Sequence, residues 1–137
     1  MSYLLDTNVI SELICPKPNK KVLQWFQKIP DETLYISVLT LGEIRKGVEA
    51  CREHKRKEQL RVWLEIDLPA WFGNRILLLD RLIADRWGRL QNEVKKPIPA
   101  IDSLIATTAL HHDLRLVTRN HKDFGYSTLQ VVNPWED

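Results

Sequence analysis

Four polar side chains, far apart in the sequence, stand where a fold could bring them together. Asp6 directly follows the apolar run at residues 3–5. Glu43 lies in the early turns of a predicted helix, Asp102 lies in the first turn of a later helix, and Asn120 follows an apolar run at residues 116–117. Ligands of open α/β sheets bind at the carboxyl ends of the strands, where these four positions fall. We therefore expect the four groups to converge on one cleft.

Three carboxylates at one edge of a sheet repel one another unless a cation lies between them. Oxygen ligands without a cluster of His or Cys favour Mg²⁺ or Mn²⁺ over Zn²⁺. Such ions suit the hydrolysis of a phosphodiester bond, because they lower the pKa of a bound water and neutralise the phosphate. Glu43 would then orient or deprotonate that water. The acids therefore indicate metal-dependent phosphodiester hydrolysis.

Each of these residues also has a purely structural explanation, which the sequence leaves open. Asp6 and Asp102 are suited to the N-terminal ends of helices, as a cap and as a negative charge at the positive end of the helix dipole. The stretch from Thr40 to Glu43 fits the S/T-x-x-E capping box. Asn120 is a common turn residue.

Apolar segments alternate with helical patterns along the whole chain. Short strands are predicted at residues 3–5, 34–37, 76–79, 116–117 and 131–132, with helices between them. These include a short first helix at residues 7–14, a charged helical segment at residues 51–71 and a helix that Asp80 can cap. Breaks are predicted at residues 15–18, 73–74 and 96–99, and Pro99 suits the first turn of the helix that follows. This alternation predicts an α/β fold with a mainly parallel sheet of about five strands, formed by one domain over residues 1–137.

Composition narrows the class of protein without naming a function. The 137 residues are 44% hydrophobic and 28% charged, as in ordinary globular domains. The net charge of +2 is too small to indicate nucleic-acid binding by itself. No apolar run approaches the ~20 residues of a membrane span, and no secretory signal follows Met1. We expect a cytoplasmic protein that does not enter the membrane.

The three acids and Asn120 lie in four sequence blocks that follow one another in a characteristic order. The blocks cover residues 4–13, 37–44, 101–106 and 116–120, followed by Asp123–Phe124 and by Asn133–Pro134–Trp135. Together they resemble PIN-domain ribonucleases, particularly the VapC/FitB-like toxins of toxin–antitoxin pairs. The resemblance extends over essentially the whole chain and implies a PIN-like fold of three layers.

The resemblance also implies a set of metal ligands. Asp6, Glu43 and Asp102 would bind Mg²⁺ or Mn²⁺, with Asp6 and Asp102 as the most direct ligands. Many relatives carry a fourth acid where this sequence has Asn120, whose amide oxygen can coordinate or hold a water but brings no charge. The replacement puts a second, permanently bound ion in doubt, unless Asp123 compensates for it.

Five further residues are expected around the acids. Asn8 and Thr118 are expected to hold the carboxylates in place. Arg45, Lys46 and Arg119 lie nearer the predicted cleft than the basic run at residues 52–61, and they are expected to guide a phosphate backbone.

The sequence supports one leading hypothesis and one alternative. The leading hypothesis is a metal-dependent endoribonuclease that acts as a toxin, cleaves RNA, pairs with a cognate antitoxin and forms a homodimer or a toxin–antitoxin hetero-oligomer. The alternative, motivated by Asn120, is a catalytically weak PIN-like module that binds RNA or an antitoxin. A receiver-type phospho-acceptor domain is disfavoured, because no adjacent acidic pair stands near Asp6.

Overall fold

A computed structural model describes residues 1–94, 98–120 and 126–136. In this part of the chain five strands form one sheet, in the order β3-β2-β1-β4-β5, and every neighbouring pair is parallel. The strands are β1 (Tyr3–Leu5), β2 (Leu34–Ser37), β3 (Ile76–Leu77), β4 (Arg115–Val117) and β5 (Val131–Val132). The predicted sheet of about five mainly parallel strands is confirmed.

Helices connect the strands, as parallel pairing requires. They are α1 (Thr7–Glu12), α2 (Lys20–Lys28), α3 (Val38–Ala50), α4 (His54–Val62), α5 (Leu68–Phe72), α6 (Arg81–Leu90) and α7 (Ala100–His111). No helix in the described ranges is long and apolar enough to cross a membrane.

The helices cover both faces of the sheet and give it three layers. Successive residues of a strand point to opposite faces. Leu5 and Val117 therefore join one buried cluster, to which the first five helices contribute. Leu4 and Leu116 join a second cluster on the opposite face, with Ile105 of α7. The three-layer arrangement implied by the resemblance is confirmed.

The strand order places a crevice beside β1. The chain passes from β1 to β2 on one side and returns on the other side as β4, so the direction of strand succession reverses at β1. Open α/β sheets bind ligands at such a reversal, outside the carboxyl ends of the strands. The backbone N–H of Asp6 donates to Val117 O at 2.9 Å, which continues the pairing of β1 with β4 one residue past the strand. Asp6 is thereby fixed at the mouth of the crevice.

Several predicted boundaries are wrong by a few residues. The third strand ends at Leu77 rather than at residue 79, because its partner β2 ends at Ser37, the residue paired with Leu77. The first helix ends at Glu12 instead of continuing to residue 14. Pro99 precedes α7 as its N-cap residue and does not lie in its first turn. Of the predicted break at residues 96–99, Lys96 and Pro97 lie outside the described residues.

The helical segment predicted at residues 51–71 begins later and is interrupted. Between α4 and α5 the residues Trp63–Asp67 form a π-helical stretch, in which Leu68 N donates to Trp63 O, five residues earlier. Pro69 contributes to the interruption because it has no N–H to donate to the carbonyl of Glu65.

Candidate active site

Asp6 is the buried centre of the site. It is the N-cap residue of α1, and its side chain is only 5% exposed. Its Oδ1 accepts a hydrogen bond from Thr7 N at 2.8 Å, and its Oδ2 accepts one from Thr118 Oγ1 at 2.8 Å. The capping role considered for Asp6 is confirmed, but it engages only one of the two carboxylate oxygens.

The pKa of Asp6 lies above its ordinary value. The main cause is burial, which disfavours the charged form, and the negative charges of Asp102 and Glu43 raise the pKa further. The hydrogen bonds from Thr118 and Thr7 act in the opposite direction. Asp102 and Glu43 therefore lie near enough to Asp6 for their charges to act on its carboxylate.

Glu43 reaches this edge from α3. The helix is capped by Ser37, whose Oγ accepts from Leu39 N at 3.0 Å, so Thr40 and Glu43 both lie inside the helix. The capping box considered for these two residues is wrong, because the helix begins earlier than that motif requires. Glu43 Oε1 instead accepts a hydrogen bond from the hydroxyl of Thr7.

Asp102 reaches the same edge from the opposite layer. It lies in the first turn of α7, as the sequence predicts. The neighbouring residue Ser103 is fully buried, and its Oγ accepts a hydrogen bond from Trp87 Nε1 of α6 at 2.7 Å. The same Oγ donates to Ala100 O at 2.9 Å. This anchor fixes the turn of α7 that carries Asp102.

The Thr118 hydroxyl links Asp6 to two asparagines. Asn8 Nδ2 and Asn120 N donate to Thr118 Oγ1 at 3.5 and 3.2 Å. These two groups can only donate, so the single proton of the hydroxyl is directed to Asp6. Thr118 thus contacts the Asp6 carboxylate directly, and Asn8 contacts Thr118. For Asn120 the contact is made by its backbone, and the residue is exposed.

The donor set consists of oxygen atoms. Among residues 1–94, 98–120 and 126–136, no three His, Cys, Asp or Glu side chains are grouped tightly enough to hold one ion. The Oδ1 of Asn8, however, is buried and accepts no hydrogen bond from the described residues. Buried polar atoms are normally paired, so this oxygen is suited to a ligand. Carboxylate and amide oxygens fit a hard divalent cation.

The three basic residues predicted near the cleft differ from one another in the groups that they contact. Arg45 forms ion pairs with Glu65 at 2.7 Å and with Glu49 at 3.6 Å. Lys46 is exposed on α3, and the guanidinium of Arg119 stacks 5.1 Å from the ring centroid of Trp135. To contact a nucleic acid, Arg45 would have to break its ion pairs with these carboxylates and form one with a phosphate instead.

Two residues near the acids were not singled out from the sequence as site residues. Thr7 contacts both Asp6 and Glu43, and Thr40 contacts Thr7. Each of the first two sequence blocks contains one of these threonines, but nothing in the sequence shows that their hydroxyls meet. Asp123, considered as a substitute for the missing fourth acid, lies outside the described residues.

Comparison with known families and curated proteins gives consistent matches. The model of the PIN domain matches residues 3–125. Toxin FitB of Neisseria gonorrhoeae is 38% identical over 137 residues, which cover 98% of this chain and 99% of that protein. VapC ribonuclease Y4jK of Sinorhizobium fredii is 35% identical over 136 residues, which cover 97% of each chain.

Solved structures show the same similarity in three dimensions. FitAcB from Neisseria gonorrhoeae contains a chain that superposes with a TM-score of 0.92 at 37% identity, covering 98% of this chain and 99% of that one. A toxin–antitoxin complex from Klebsiella pneumoniae contains a chain with a TM-score of 0.72 at 29% identity, covering 97% of this chain and 98% of that one.

Proposed function

The chain belongs to the PIN-domain family, and we propose on that basis that it is a metal-dependent endoribonuclease, the toxin of a toxin–antitoxin pair. The observation that carries the proposal is the convergence of Asp102 and Glu43 on the buried carboxylate of Asp6. Its relatives are named as a toxin and as a ribonuclease, and a similar chain occurs in a toxin–antitoxin complex.

The cofactor is a divalent metal ion, and we assign it as Mg²⁺ or Mn²⁺. We propose that Asp6 and Asp102 are the most direct ligands, with Glu43 as the third acid. The raised pKa of Asp6 supports this assignment, because a cation would favour the charged form of a carboxylate that burial and, to a smaller degree, the neighbouring acids disfavour. Asn120 would contribute an uncharged oxygen, so the site holds one ion more readily than two.

The catalytic step follows from the chemistry of these residues. When bound, the ion would neutralise charge at the phosphate and lower the pKa of a water molecule. Glu43 orients that water or accepts its proton, since the Glu43 carboxylate is directed by Thr7 toward the Asp6 side of the cleft. Thr118 and Asn8 hold Asp6 in place, and Lys46 and Arg119 guide the RNA backbone, joined by Arg45 once it leaves Glu65.

Two protein partners belong to the proposal. A cognate antitoxin binds the chain and restrains its activity, as expected for a toxin of this class. The chain assembles as a homodimer or as a hetero-oligomer with the antitoxin. Size-exclusion chromatography with light scattering, on the chain alone and after coexpression with the adjacent reading frame, measures both assemblies.

A cleavage assay tests the enzyme activity. Purified protein is incubated with total RNA in Mg²⁺ or Mn²⁺, with and without EDTA. We expect cleavage that EDTA abolishes and that Asp6→Asn reduces at least 100-fold, a loss typical of removing a group that acts on the reacting atoms. Asp85→Asn is the matched control, because Asp85 is exposed on α6 and, within the described residues, forms its ion pair with Arg89 at the surface. Cleavage that persists in EDTA would exclude the metal mechanism.

Expression in a bacterial host tests the role as a toxin. We expect induction of the wild-type chain to arrest growth and induction of Asp102→Asn to leave growth unchanged. Coexpression of the cognate antitoxin should restore growth to the wild-type strain. Growth arrest of equal strength by both forms would show that toxicity does not depend on the acidic site.

One observation favours the alternative of a binding module without strong catalysis. The described acids form no tight group of three, and Asn120 replaces an acid with an exposed amide. Asn120→Asp distinguishes the two functions. A binding module gains cleavage that the wild type lacks, whereas an active enzyme changes only a few-fold.

A further inference from the structure

Thr40 is a buried hydroxyl whose hydrogen-bond partner lies on another helix. It lies in the first turn of α3 and is fully buried. Buried helical threonines commonly return the hydroxyl to a carbonyl of their own helix. Thr107 and Thr108 of α7 do so, each donating to the carbonyl four residues earlier at 2.8 Å. Thr40 Oγ1 instead lies 3.1 Å from Thr7 Oγ1, on another helix.

Thr7 connects this hydroxyl to two of the acids. Its backbone N–H donates to Asp6 Oδ1 at 2.8 Å, and its hydroxyl donates to Glu43 Oε1. One residue therefore sets the position of one acid with its backbone and of another with its side chain.

The number of protons fixes the direction of the chain of hydrogen bonds. A hydroxyl has one proton, and an ionised carboxylate can only accept. The proton of Thr7 is therefore committed to Glu43, and the oxygen of Thr7 must accept from Thr40. Thr40 thus holds the Thr7 hydroxyl in the rotamer that meets Glu43, since an unpaired buried hydroxyl would be costly.

We propose that Thr40 is a positioning residue of the active site, acting through Thr7 to hold the Glu43 carboxylate beside Asp6. The proposal rests on the function proposed above, in which Glu43 acts on the reacting water and contributes to metal binding. Groups that orient ligands in this way typically change metal affinity or activity 10–100-fold when removed. Thr40 itself contacts neither substrate nor metal in this role.

Three variants separate positioning from packing. Thr40→Val keeps the shape of the side chain and removes the hydroxyl, whereas Thr40→Ser keeps the hydroxyl and removes a methyl group. Thr108→Val is the matched control, because it also removes a buried helical hydroxyl, but one whose partner among the described residues is a carbonyl of its own helix. All three are measured as purified full-length protein for melting temperature, Mn²⁺ affinity by calorimetry and RNA cleavage.

We expect Thr40→Val to lower the maximal cleavage rate about 10-fold with little change in KM, and to weaken Mn²⁺ affinity by a similar factor. Thr40→Ser should retain the rate and affinity within about 3-fold, and Thr108→Val should retain both. If Thr40→Ser is as impaired as Thr40→Val, or if Thr108→Val shows the same loss, the effect is one of packing and the proposal is wrong.

Crystal structures of the wild type and Thr40→Val distinguish failure of this inference from failure of the proposed function. We expect Glu43 to contact Thr7 in the wild type and to adopt a different rotamer in Thr40→Val. An unchanged Glu43 rotamer overturns the positioning role, whether or not the wild type cleaves RNA. A changed rotamer in a protein that cleaves no RNA supports the positioning role and contradicts the ribonuclease assignment.

Discussion

At the scale of single residues, the burial of Asp6 has two opposing effects. It fixes the position of the carboxylate, and it disfavours the charge of that carboxylate. Burial at the end of β1 brings its carboxylate next to α1 and β4, where Thr7 and Thr118 hold it. The same burial, together with two neighbouring acids, disfavours its charge and raises its pKa. In the metal-free protein the charged form of Asp6 is therefore held at the expense of stability.

The raised pKa predicts how stability depends on pH. An acid whose pKa is higher in the folded than in the unfolded state stabilises the fold below its unfolded pKa, and this contribution is lost as the pH rises through the folded pKa. In the absence of metal, the free energy of unfolding of Asp6→Asn relative to that of the wild type should therefore be lowest at about pH 4. This difference should shift in favour of the variant as the pH rises to 7. Urea denaturation of both proteins in EDTA, at several pH values, measures the difference.

The control for this prediction is the exposed acid Asp85. Its replacement by asparagine should change stability by less than about 0.5 kcal/mol at every pH, because exposed ion pairs contribute little. A constant difference between Asp6→Asn and the wild type over the same range would contradict the elevated pKa of Asp6.

A second prediction at the scale of single residues concerns the hydroxyl of Thr118. Thr118→Val removes the donor to Asp6 Oδ2 and leaves the donors of Asn8 and Asn120 without their common acceptor. Leaving a buried polar group such as Asp6 Oδ2 unpaired costs about 1–3 kcal/mol. We expect a loss of that size in the free energy of unfolding, measured by urea denaturation. Thr118→Ser should lose less, and an equal loss in both would assign the effect to the methyl group.

At the scale of elements, α5 is followed by a glycine whose backbone conformation disfavours any other amino acid at that position. Gly73 has φ +53° and ψ −121°, a conformation that L side chains rarely adopt. No atom lies within 4 Å of the position that a Cβ would take, so an added methyl group meets no steric contact. Gly73→Ala should therefore destabilise the protein through backbone strain alone, by about 1–3 kcal/mol in thermal denaturation.

Gly88 provides the matched control for this substitution. It lies within α6, and a Cβ at this position also has no atom within 4 Å. Gly88→Ala should stabilise the protein by about 0.5–1 kcal/mol, because alanine is the better helix former. Destabilisation of equal size at both positions would show that the strain at Gly73 is not the cause.

The elements themselves were largely predictable because their patterns are local. Short apolar runs predict the five strands, and Asp80 predicts the start of α6. In the structure Asp80 caps this helix, since its Oδ1 accepts a hydrogen bond from Ile83 N at 2.9 Å. The ends of elements were less predictable, since they depend on partners distant in sequence. The end of β3 is set by β2, and the π-helical stretch depends on Pro69 six residues after its first residue.

At the scale of the whole molecule, the site is assembled from three elements that only the sheet brings together. The sequence predicts Asp6, Glu43 and Asp102 as site residues, because an acid after a strand or in the first turns of a helix falls at the carboxyl edge of the sheet. The contact between Thr7 and Thr40 was not predictable, because the two hydroxyls are separated by 33 residues and meet through the packing of α1 on α3.

This assembly predicts that a divalent ion stabilises the entire fold. An ion that binds only the folded chain stabilises it by about 2.7 kcal/mol at 100 times its Kd. We expect Mn²⁺ to raise the melting temperature at pH 7 by several degrees, and to raise it less at pH 5, where protons compete for the acids. Asp6→Asn should show a much smaller shift at pH 7. Mn²⁺ shifts of equal size in both proteins would place the stabilising ion away from Asp6 and would contradict the site.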